Sequence, residues 1–349
     1  MSRVKSWSTG TCCRWCPQPW PTATACSEAR GGSRGQLWRR GRRMCLCRRA
    51  TWFAARRMNY LLGLLAALFL TCSALAQSNP VRREPGKMVV VGHAGSGFLR
   101  PFNTFNPLPP SSLRSELKAL RDGAEGLEVD IQLSQDSVPV LYHDVTLNTM
   151  TKTGRGCTSE FPVAVLTSLA YAGGWPYDWF QHERIITLDT LLARLARRPE
   201  FPYLHFDLHE DLPCLNPAQA QVHSAALARQ LVRLLQRYRV PAERVLFVGD
   251  HEATLRRLRR LWPAAAQGYE ITEDFTGNFS KARALGVEAV VLNGDLTTPA
   301  NTAQAHAAGL AVVTFGGRSA KRIKQLVGAD PDAYEVDNVT KLRRRLGRK

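Results

Sequence analysis

The sequence lacks several features that would place it in a common structural class. No apolar run reaches the roughly 20 residues that span a bilayer comfortably. The composition excludes a fully disordered chain, a coiled coil and a polytopic membrane protein. Beyond residue 77 there is no internal repeat, Gly-rich phosphate loop, serine nucleophile elbow or Cys₂His₂ pattern. These absences leave a globular enzyme or a globular binding protein as the hypotheses to test.

Acidic residues are nearly missing from the first part of the chain. The 349 residues hold 47 Lys and Arg against 29 Asp and Glu, a net charge of +18. Residues 1–57 contribute 13 basic residues and one acid, and residues 58–76 contribute no charge. The rest carries 34 basic and 28 acidic residues, a net of +6. A high positive charge would suggest nucleic acid, but this distribution predicts no nucleic-acid partner.

Residues 58–76 have the pattern of a secretory signal. Arg57 precedes Met58, residues 61–70 are almost continuously apolar, and an Ala-Leu-Ala site ends at Ala76. We therefore predict export, to the periplasm or the medium, with cleavage after Ala76. A lipoprotein anchored through Cys72 is the less favoured alternative, because the preceding threonine is larger than such sites usually accept.

The signal divides the chain into three parts. We predict that residues 1–57 are an unstructured leader or an over-extended reading frame, because Met58 could itself start the signal. Residues 77–349 then form one domain of 273 residues, close to the roughly 250 of a single (β/α)8 barrel. This domain keeps two cysteines, Cys157 and Cys214. In an oxidising compartment they suggest one disulfide, although two free thiols remain an alternative.

From residue 88 the chain alternates short β-branched runs with amphipathic helical patterns. Ser112 and Thr187 are expected to cap two of the helices. The alternation predicts an α/β fold, and the number of strands favours a TIM barrel over a doubly wound sheet. The candidate strands are 88–91, 126–133, 138–142, 203–208, 245–248, 267–271, 289–292, 311–315 and 333–336.

The second and third candidate strands are separated by four residues, 134–137. A parallel crossover needs a dozen or more residues, so these strands should form an antiparallel hairpin after the second barrel strand. A symmetric four-residue turn would place Glu128 opposite His143 and Asp130 opposite Leu141. The hairpin alone would then gather two carboxylates and an imidazole.

Five acidic and histidine residues lie in or at the ends of the predicted strands: Glu128, Asp130, Asp207, His93 and His143. Barrel enzymes catalyse at the carboxyl ends of the strands. A charged side chain inside an apolar strand costs several kcal/mol unless it is paired or bound to metal. Three carboxylates predict a hard divalent cation, Ca²⁺ or Mg²⁺, and two imidazoles can act as general acid and base.

The same segments resemble a known family. Those segments are HAG at 93–95, PFNT at 101–104, GAEGLEVDIQLSQDSVPVLYHD at 123–144 and FDLH at 206–209. They look like the motifs of the glycerophosphodiester phosphodiesterases. The resemblance runs from about residue 88 to residue 341, and the hairpin stretch is its most specific part.

The resemblance implies roles for these residues. His93 and His143 match the two catalytic histidines, while Glu128, Asp130 and Asp207 match the ligands of one divalent cation. In this family a substrate glycerol hydroxyl attacks phosphorus, one histidine takes its proton, and the other protonates the leaving alcohol. Water then opens the cyclic phosphate. The expected products are an alcohol and glycerol 3-phosphate.

The chain departs from the family motifs at four positions. Ala94 stands where the family has an arginine, Phe102 where it has a glutamate, and Asp207 is one methylene shorter than the usual glutamate. His209 replaces a lysine and is the candidate substrate-binding residue. His205 is expected to be structural.

Two alternatives remain open beside a small-molecule glycerophosphodiester substrate. A phospholipase D-like enzyme would act on intact phospholipids, with transient membrane contact. Its expected sign is an apolar rim built from Phe98, Phe102, Phe105, Leu108, Trp175, Trp179 and Phe180. A catalytically dead phosphodiester-binding protein would keep the pocket without turnover.

Overall fold

The computed structural model describes residue 81 and residues 87–98 and 106–348. All of them belong to one of the chain's two units, Thr71–Lys349. The predicted leader at 1–57 and signal at 58–76 lie outside the described residues and stay predictions. Across the part of the chain that is described, no helix is both long enough and apolar enough to cross a membrane.

Eight parallel strands among the described residues close into a barrel, which confirms the predicted fold class. The ring closes because the first strand, β1 (Val89–Gly92), pairs with both the last, β10 (Ala333–Val336), and the second, β2 (Gly126–Leu133). An antiparallel pair of strands extends the sheet from β2. The barrel strands are β1 (Val89–Gly92), β2 (Gly126–Leu133), β5 (Tyr203–Leu208), β6 (Val245–Gly249), β7 (Ala266–Ile271), β8 (Ala289–Asn293), β9 (Ala311–Phe315) and β10 (Ala333–Val336), and the extension is β3 (Pro139–Leu141) and β4 (Ile186–Thr187).

Helices follow the barrel strands and cover their outer faces. The predicted caps are confirmed: the hydroxyl of Ser112 accepts from the backbone N–H of Ser115, and that of Thr187 from the backbone N–H of Thr190. The described helices are α1 (Leu113–Arg121), α2 (Val163–Leu166), α3 (Leu188–Leu195), α4 (Pro217–Arg237), α5 (Glu252–Leu261), α6 (Phe275–Leu285), α7 (Pro299–Ala307), α8 (Ala320–Val327) and α9 (Val339–Arg345).

The hairpin between β2 and β3 is confirmed, but its predicted register is wrong by one residue. Ile131 pairs with Leu141, so neither Glu128 nor Asp130 faces its expected partner. The turn is one residue shorter than expected, because the Ser134 N–H bonds the Val138 carbonyl and Ser137 takes a left-handed conformation with φ 61°.

This register follows from the burial of apolar side chains. A one-residue slip would turn every side chain of β3 to the opposite face. In the observed pairing, Ile131 and Leu141 both belong to the apolar cluster between the strands and the helices. The strand β3 ends at Leu141, so His143 lies in the segment that follows it.

Cys157 and Cys214 form a disulfide. The bond joins the segment between β3 and β4 to the loop that follows β5. The first of these segments carries His143, and the second follows the strand that carries Asp207.

Candidate active site

Three carboxylates lie side by side in the barrel interior. Glu128 and Asp130 alternate along β2, and the parallel register sets Asp130 beside Asp207 of β5. One carboxylate oxygen of each residue lies within 4.8 Å of the other two. The structure therefore brings together the three residues that were predicted as metal ligands.

Glu128 is the deepest member of this cluster. One carboxylate oxygen, Oε2, accepts the backbone N–H of Ala94 at 2.5 Å, while the buried Oε1 has no hydrogen-bond partner among the described residues. Burial, followed by the charges of Asp130, Glu335 and Asp207, raises the pKa of Glu128 well above its usual value. An orphaned buried oxygen among like charges would be stabilised by a cation. The donor set therefore fits a hard divalent ion.

Asp130 is held by two neighbouring side chains. The hydroxyl of Ser111 donates to its Oδ2 at 2.5 Å, and Nε2 of His209 lies 3.1 Å from its Oδ1. The same Nε2 is 3.3 Å from Asp207. Burial opposes ionisation, but the charges and hydrogen bonds of His143, His209 and Ser111 hold the pKa of Asp130 below its usual value. His209 thus bridges two of the three carboxylates.

His93 follows β1 at the mouth of the barrel. Its Nδ1 lies 2.8 Å from Oδ1 of Asp337, the residue after β10. Burial would lower the pKa of His93, but the hydrogen bond and charge of Asp337, with Glu335 and Asp130, raise it to about 9. The Asp337 bond occupies Nδ1, so Nε2 is the nitrogen left for a substrate.

His143 is held in a similar way from the other side of the site. Its Nδ1 lies 2.7 Å from Oδ1 of the adjacent Asp144. Burial again opposes protonation, yet Asp130 and Asp144 raise the pKa of His143 above its usual value. The ring of Phe98 makes edge contacts with both catalytic candidates, with centroids 4.9 Å from His143 and 5.5 Å from His93.

A cavity of about 300 Å³ opens between these groups. His93, His143 and His209 face it together with Asp130 and Asp207. The rest of its wall includes the loop after β5, strands β6 to β10 and the segment after β3. Four of its acidic side chains are Glu210, Asp250, Glu270 and Glu335. Burial, followed by the charges of Asp207 and Asp250, raises the pKa of Glu270 to about 8. The cavity is therefore rich in carboxylates, a setting that suits a bound cation.

His205 lies below this cavity and does not line it. It is completely buried, and its Nδ1 is 2.6 Å from Oε1 of Glu335. This pairing across the barrel interior agrees with a structural role.

The sequence did not point to Asp337, Ser111 or Gln132, whose side chains hold site residues in place. Asp337 directly follows the last strand, and its position at a strand end was an available signal. Ser111 precedes the helix cap and gives no local sign of its contact with Asp130. The PFNT stretch at 101–104 lies outside the described residues, so its place at the site stays a prediction.

Comparison with known proteins settles the family. The model of the glycerophosphoryl diester phosphodiesterase family matches residues 100–341. This range contains the carboxylate cluster and His143, and it begins after His93. The chain belongs to this family. The resemblance noted in the hairpin motifs is thereby confirmed.

Individual relatives in this family are distant. A Mycobacterium tuberculosis protein named a probable glycerophosphodiester phosphodiesterase 1 is 28% identical over 190 residues, which cover 51% of this chain and 62% of that protein. Human glycerophosphodiester phosphodiesterase 1 is 34% identical over 92 residues, 26% of this chain and 24% of the human protein. The chain thus spans less than two thirds of the length of these relatives.

Solved structures share the fold at low identity. An Oleispira antarctica phosphodiesterase in complex with the product sn-glycerol-3-phosphate has a TM-score of 0.61 at 23% identity, covering 74% of this chain and 96% of that one. A Parabacteroides distasonis glycerophosphodiester phosphodiesterase has a TM-score of 0.59 at 20% identity, with coverage of 74% and 97%. These likenesses support the barrel fold.

Proposed function

We propose that this protein hydrolyses glycerophosphodiesters to an alcohol and glycerol 3-phosphate. The observation that carries the proposal is the meeting, at one cavity, of two carboxylate-anchored histidines and a three-carboxylate cluster. Family membership supports the same reaction class. For a phosphodiester bound between the cluster and the histidines, the cluster would hold a cation against the phosphate charge, and the two histidines would transfer protons at the two ester oxygens.

The two histidines divide the proton transfers. Bonded to Asp337, His93 has a pKa of about 9 and stays protonated at neutral pH, which suits the donor to the leaving alcohol. His143 then accepts the proton of the glycerol hydroxyl as that oxygen attacks phosphorus. In the second step of the reaction, hydrolysis of the cyclic phosphate, the two roles reverse. The attacking water gives its proton to His93, and His143 returns a proton to the departing glycerol oxygen.

Glu128, Asp130 and Asp207 would hold the divalent cation. Such an ion neutralises charge on phosphoryl oxygens and lowers the pKa of a hydroxyl that it binds. Their oxygens suit Ca²⁺ and Mg²⁺ alike. Asp130 and Asp207 engage Nε2 of His209, so its Nδ1 would make the phosphate contact in place of the family's lysine.

The direct test is a hydrolysis assay on the purified protein. Glycerophosphocholine, glycerophosphoethanolamine and glycerophosphoglycerol would each be incubated with Ca²⁺, Mg²⁺ or a chelator, and glycerol 3-phosphate would be measured. We expect release with at least one cation and none with the chelator. Ligand binding by calorimetry without turnover in either metal would instead establish a binding protein.

A second candidate substrate is an intact phospholipid, and one surface favours it. Trp175, Trp179 and Phe180 are 77%, 69% and 54% exposed, a concentration of aromatic area that is unusual on a soluble surface. Tyr177 between them is buried. Tryptophan is enriched at membrane–water interfaces. Two residues of the rim predicted from the sequence do not belong to it: Phe98 packs against the histidines, and Leu108 is buried. Phe102 and Phe105 lie outside the described residues.

Paired substrates separate these two functions. A double variant Trp175→Ala/Trp179→Ala would be assayed on soluble glycerophosphocholine and on phosphatidylcholine vesicles. If phospholipid is the substrate, vesicle hydrolysis should fall while the soluble reaction is unchanged. Absence of vesicle hydrolysis by the unaltered protein would eliminate this candidate.

We also propose that the protein is exported with cleavage after Ala76. The disulfide between Cys157 and Cys214 supports this location, because such bonds persist in oxidising compartments. Amino-terminal sequencing of the exported protein tests it. A mature chain that retains residues before Met58 would contradict both the cleavage and the leader hypothesis.

A further inference from the structure

The segment that carries His143 is held by a side chain of β2, the strand that also carries Glu128 and Asp130. Gln132 lies on β2, two residues beyond Asp130, and is completely buried. Its Nε2 lies 2.9 Å from the carbonyl oxygen of Tyr142 and 2.8 Å from that of Asp144, with the His143 carbonyl at 3.4 Å. The side chain therefore holds the backbone on both sides of His143.

The orientation of this amide follows from its surroundings. Carbonyl oxygens only accept hydrogen bonds, so the nitrogen of Gln132 must face the three carbonyls. The opposite end, Oε1, accepts the hydroxyl of Thr158 at 2.8 Å. Thr158 is itself buried and follows Cys157, which is bonded to Cys214. Every polar atom of the Gln132 amide is thus used.

The hydrogen bonds of Gln132 to the carbonyls of residues 142–144, called the clamp below, act where regular structure has ended. β3 stops at Leu141, so sheet hydrogen bonds do not fix the position of His143. One face of β2 carries Glu128, Asp130 and Gln132, because side chains two positions apart on a strand point the same way. Their common strand sets the carboxylates and the backbone of His143 at a defined separation.

We propose that Gln132 is a positioning residue for His143, which it holds in register with the carboxylate cluster. This inference rests on the proposed function for its kinetic consequence, but the placement of His143 can be observed without substrate. Catalytic groups about 1 Å out of place can cost roughly 100-fold in rate. The clamp should therefore affect kcat more than cation binding.

The main test is Gln132→Glu, which keeps the shape and points an oxygen at the three carbonyls. We expect kcat on glycerophosphocholine to fall about 10- to 100-fold, with the Kd for Ca²⁺ or Mg²⁺ unchanged by calorimetry. In two-dimensional ¹H–¹⁵N imidazole spectra, the His143 signals should shift or broaden while those of His93 stay in place. The matched control Gln221→Glu makes the same change on an exposed helix residue and should alter nothing.

A gentler variant covers the case in which Gln132→Glu does not fold. Thr158→Val removes the hydroxyl that orients the amide and adds no charge. It should lower kcat about 2- to 10-fold, the worth of one neutral hydrogen bond, and move the same His143 signals.

The outcomes separate the two claims. If the unaltered protein hydrolyses no glycerophosphodiester, the proposed function fails, and the His143 spectra still decide the clamp. Unchanged His143 signals in the folded variants would overturn the positioning role. So would a parallel loss of cation binding and activity, because that pattern marks a general collapse of the site.

Discussion

The lower and upper halves of the barrel interior are built from opposite kinds of residue. The lower half is packed with small and branched apolar side chains, among them Val89, Val91 and Leu246. The upper half, toward the carboxyl ends of the strands, holds the carboxylate cluster and the histidines. At the end of β1 the change occurs within two residues, from Val91 on the strand to His93 just after it.

The difference shows how one barrel meets two conflicting demands. Close-packed apolar side chains stabilise the closed sheet because their burial removes surface from water. Buried carboxylates cost stability unless a partner or ion compensates them. Keeping them at the mouth, where an ion and substrate can enter, lets the lower half carry the stability. The comparison predicts that substitutions in the two halves will change different measurements.

The largest effect should come from the histidines at the mouth. His93→Ala and His143→Ala should each lower kcat about 10²- to 10⁴-fold, because each removes a proton-transfer group. The melting temperature should stay close to that of the unaltered protein. Near-normal turnover in either variant would overturn its assigned role, and a large fall in melting temperature would break the separation of the two halves.

In the lower half, we expect a substitution to reduce stability without changing kcat. Leu246→Ala removes a completely buried side chain and should cost about 2–5 kcal/mol of unfolding free energy in urea. The kcat of the remaining folded protein should not change. Val222→Ala, at a residue that is 69% exposed, is the matched control and should cost under about 0.5 kcal/mol. A kcat loss in Leu246→Ala would show that the halves are coupled.

A smaller effect on the upper half should follow from the partner of His93. Asp337→Asn removes the charge that raises the pKa of His93 to about 9. If protonated His93 is the acid, activity falls as pH rises through that pKa, so the alkaline limb should move to lower pH. We also expect kcat to fall about 10- to 100-fold. If the alkaline limb of the pH–rate profile stays at the same pH, Asp337 does not set the pKa of His93 in catalysis.

The smallest effect should come from a buried acid that no catalytic role explains. Glu116 on α1 is completely buried, and within the described part of the chain neither of its carboxylate oxygens has a hydrogen-bond partner. Glu116→Met should stabilise the protein by about 1–3 kcal/mol at pH 8 by urea denaturation. Glu116→Gln, which keeps a buried polar group, should gain much less.

The pH dependence of that gain has a definite sign. Burial, followed by the charge of Asp130, raises the pKa of Glu116 well above its usual 4.5. Above pH 4.5 the unfolded chain therefore loses a proton that the folded chain retains, and stability declines as pH rises. The advantage of Glu116→Met should shrink toward pH 4. An equal gain at both pH values would show that Glu116 is ionised in the folded protein.

Much of the fold was predictable because its signals are local. Runs of β-branched residues and the caps at Ser112 and Thr187 depend on neighbours within a few positions. The register of the β2–β3 hairpin was not predictable in this way. Ser137 adopts a left-handed conformation without the glycine or asparagine that usually marks one. Burial of Leu141 against the helices decided the pairing instead.

By itself, the sequence determined the barrel, the hairpin and the identity of the five residues that the structure gathers at one end. Alternation along each strand and the shared carboxyl edge of parallel strands are enough to place them. Only the tertiary structure decided which side chains hold these five residues in position. Asp337 reaches His93 across 244 positions of the chain, because β10 closes the barrel against β1. Contacts of that range follow from barrel closure, which no local pattern encodes.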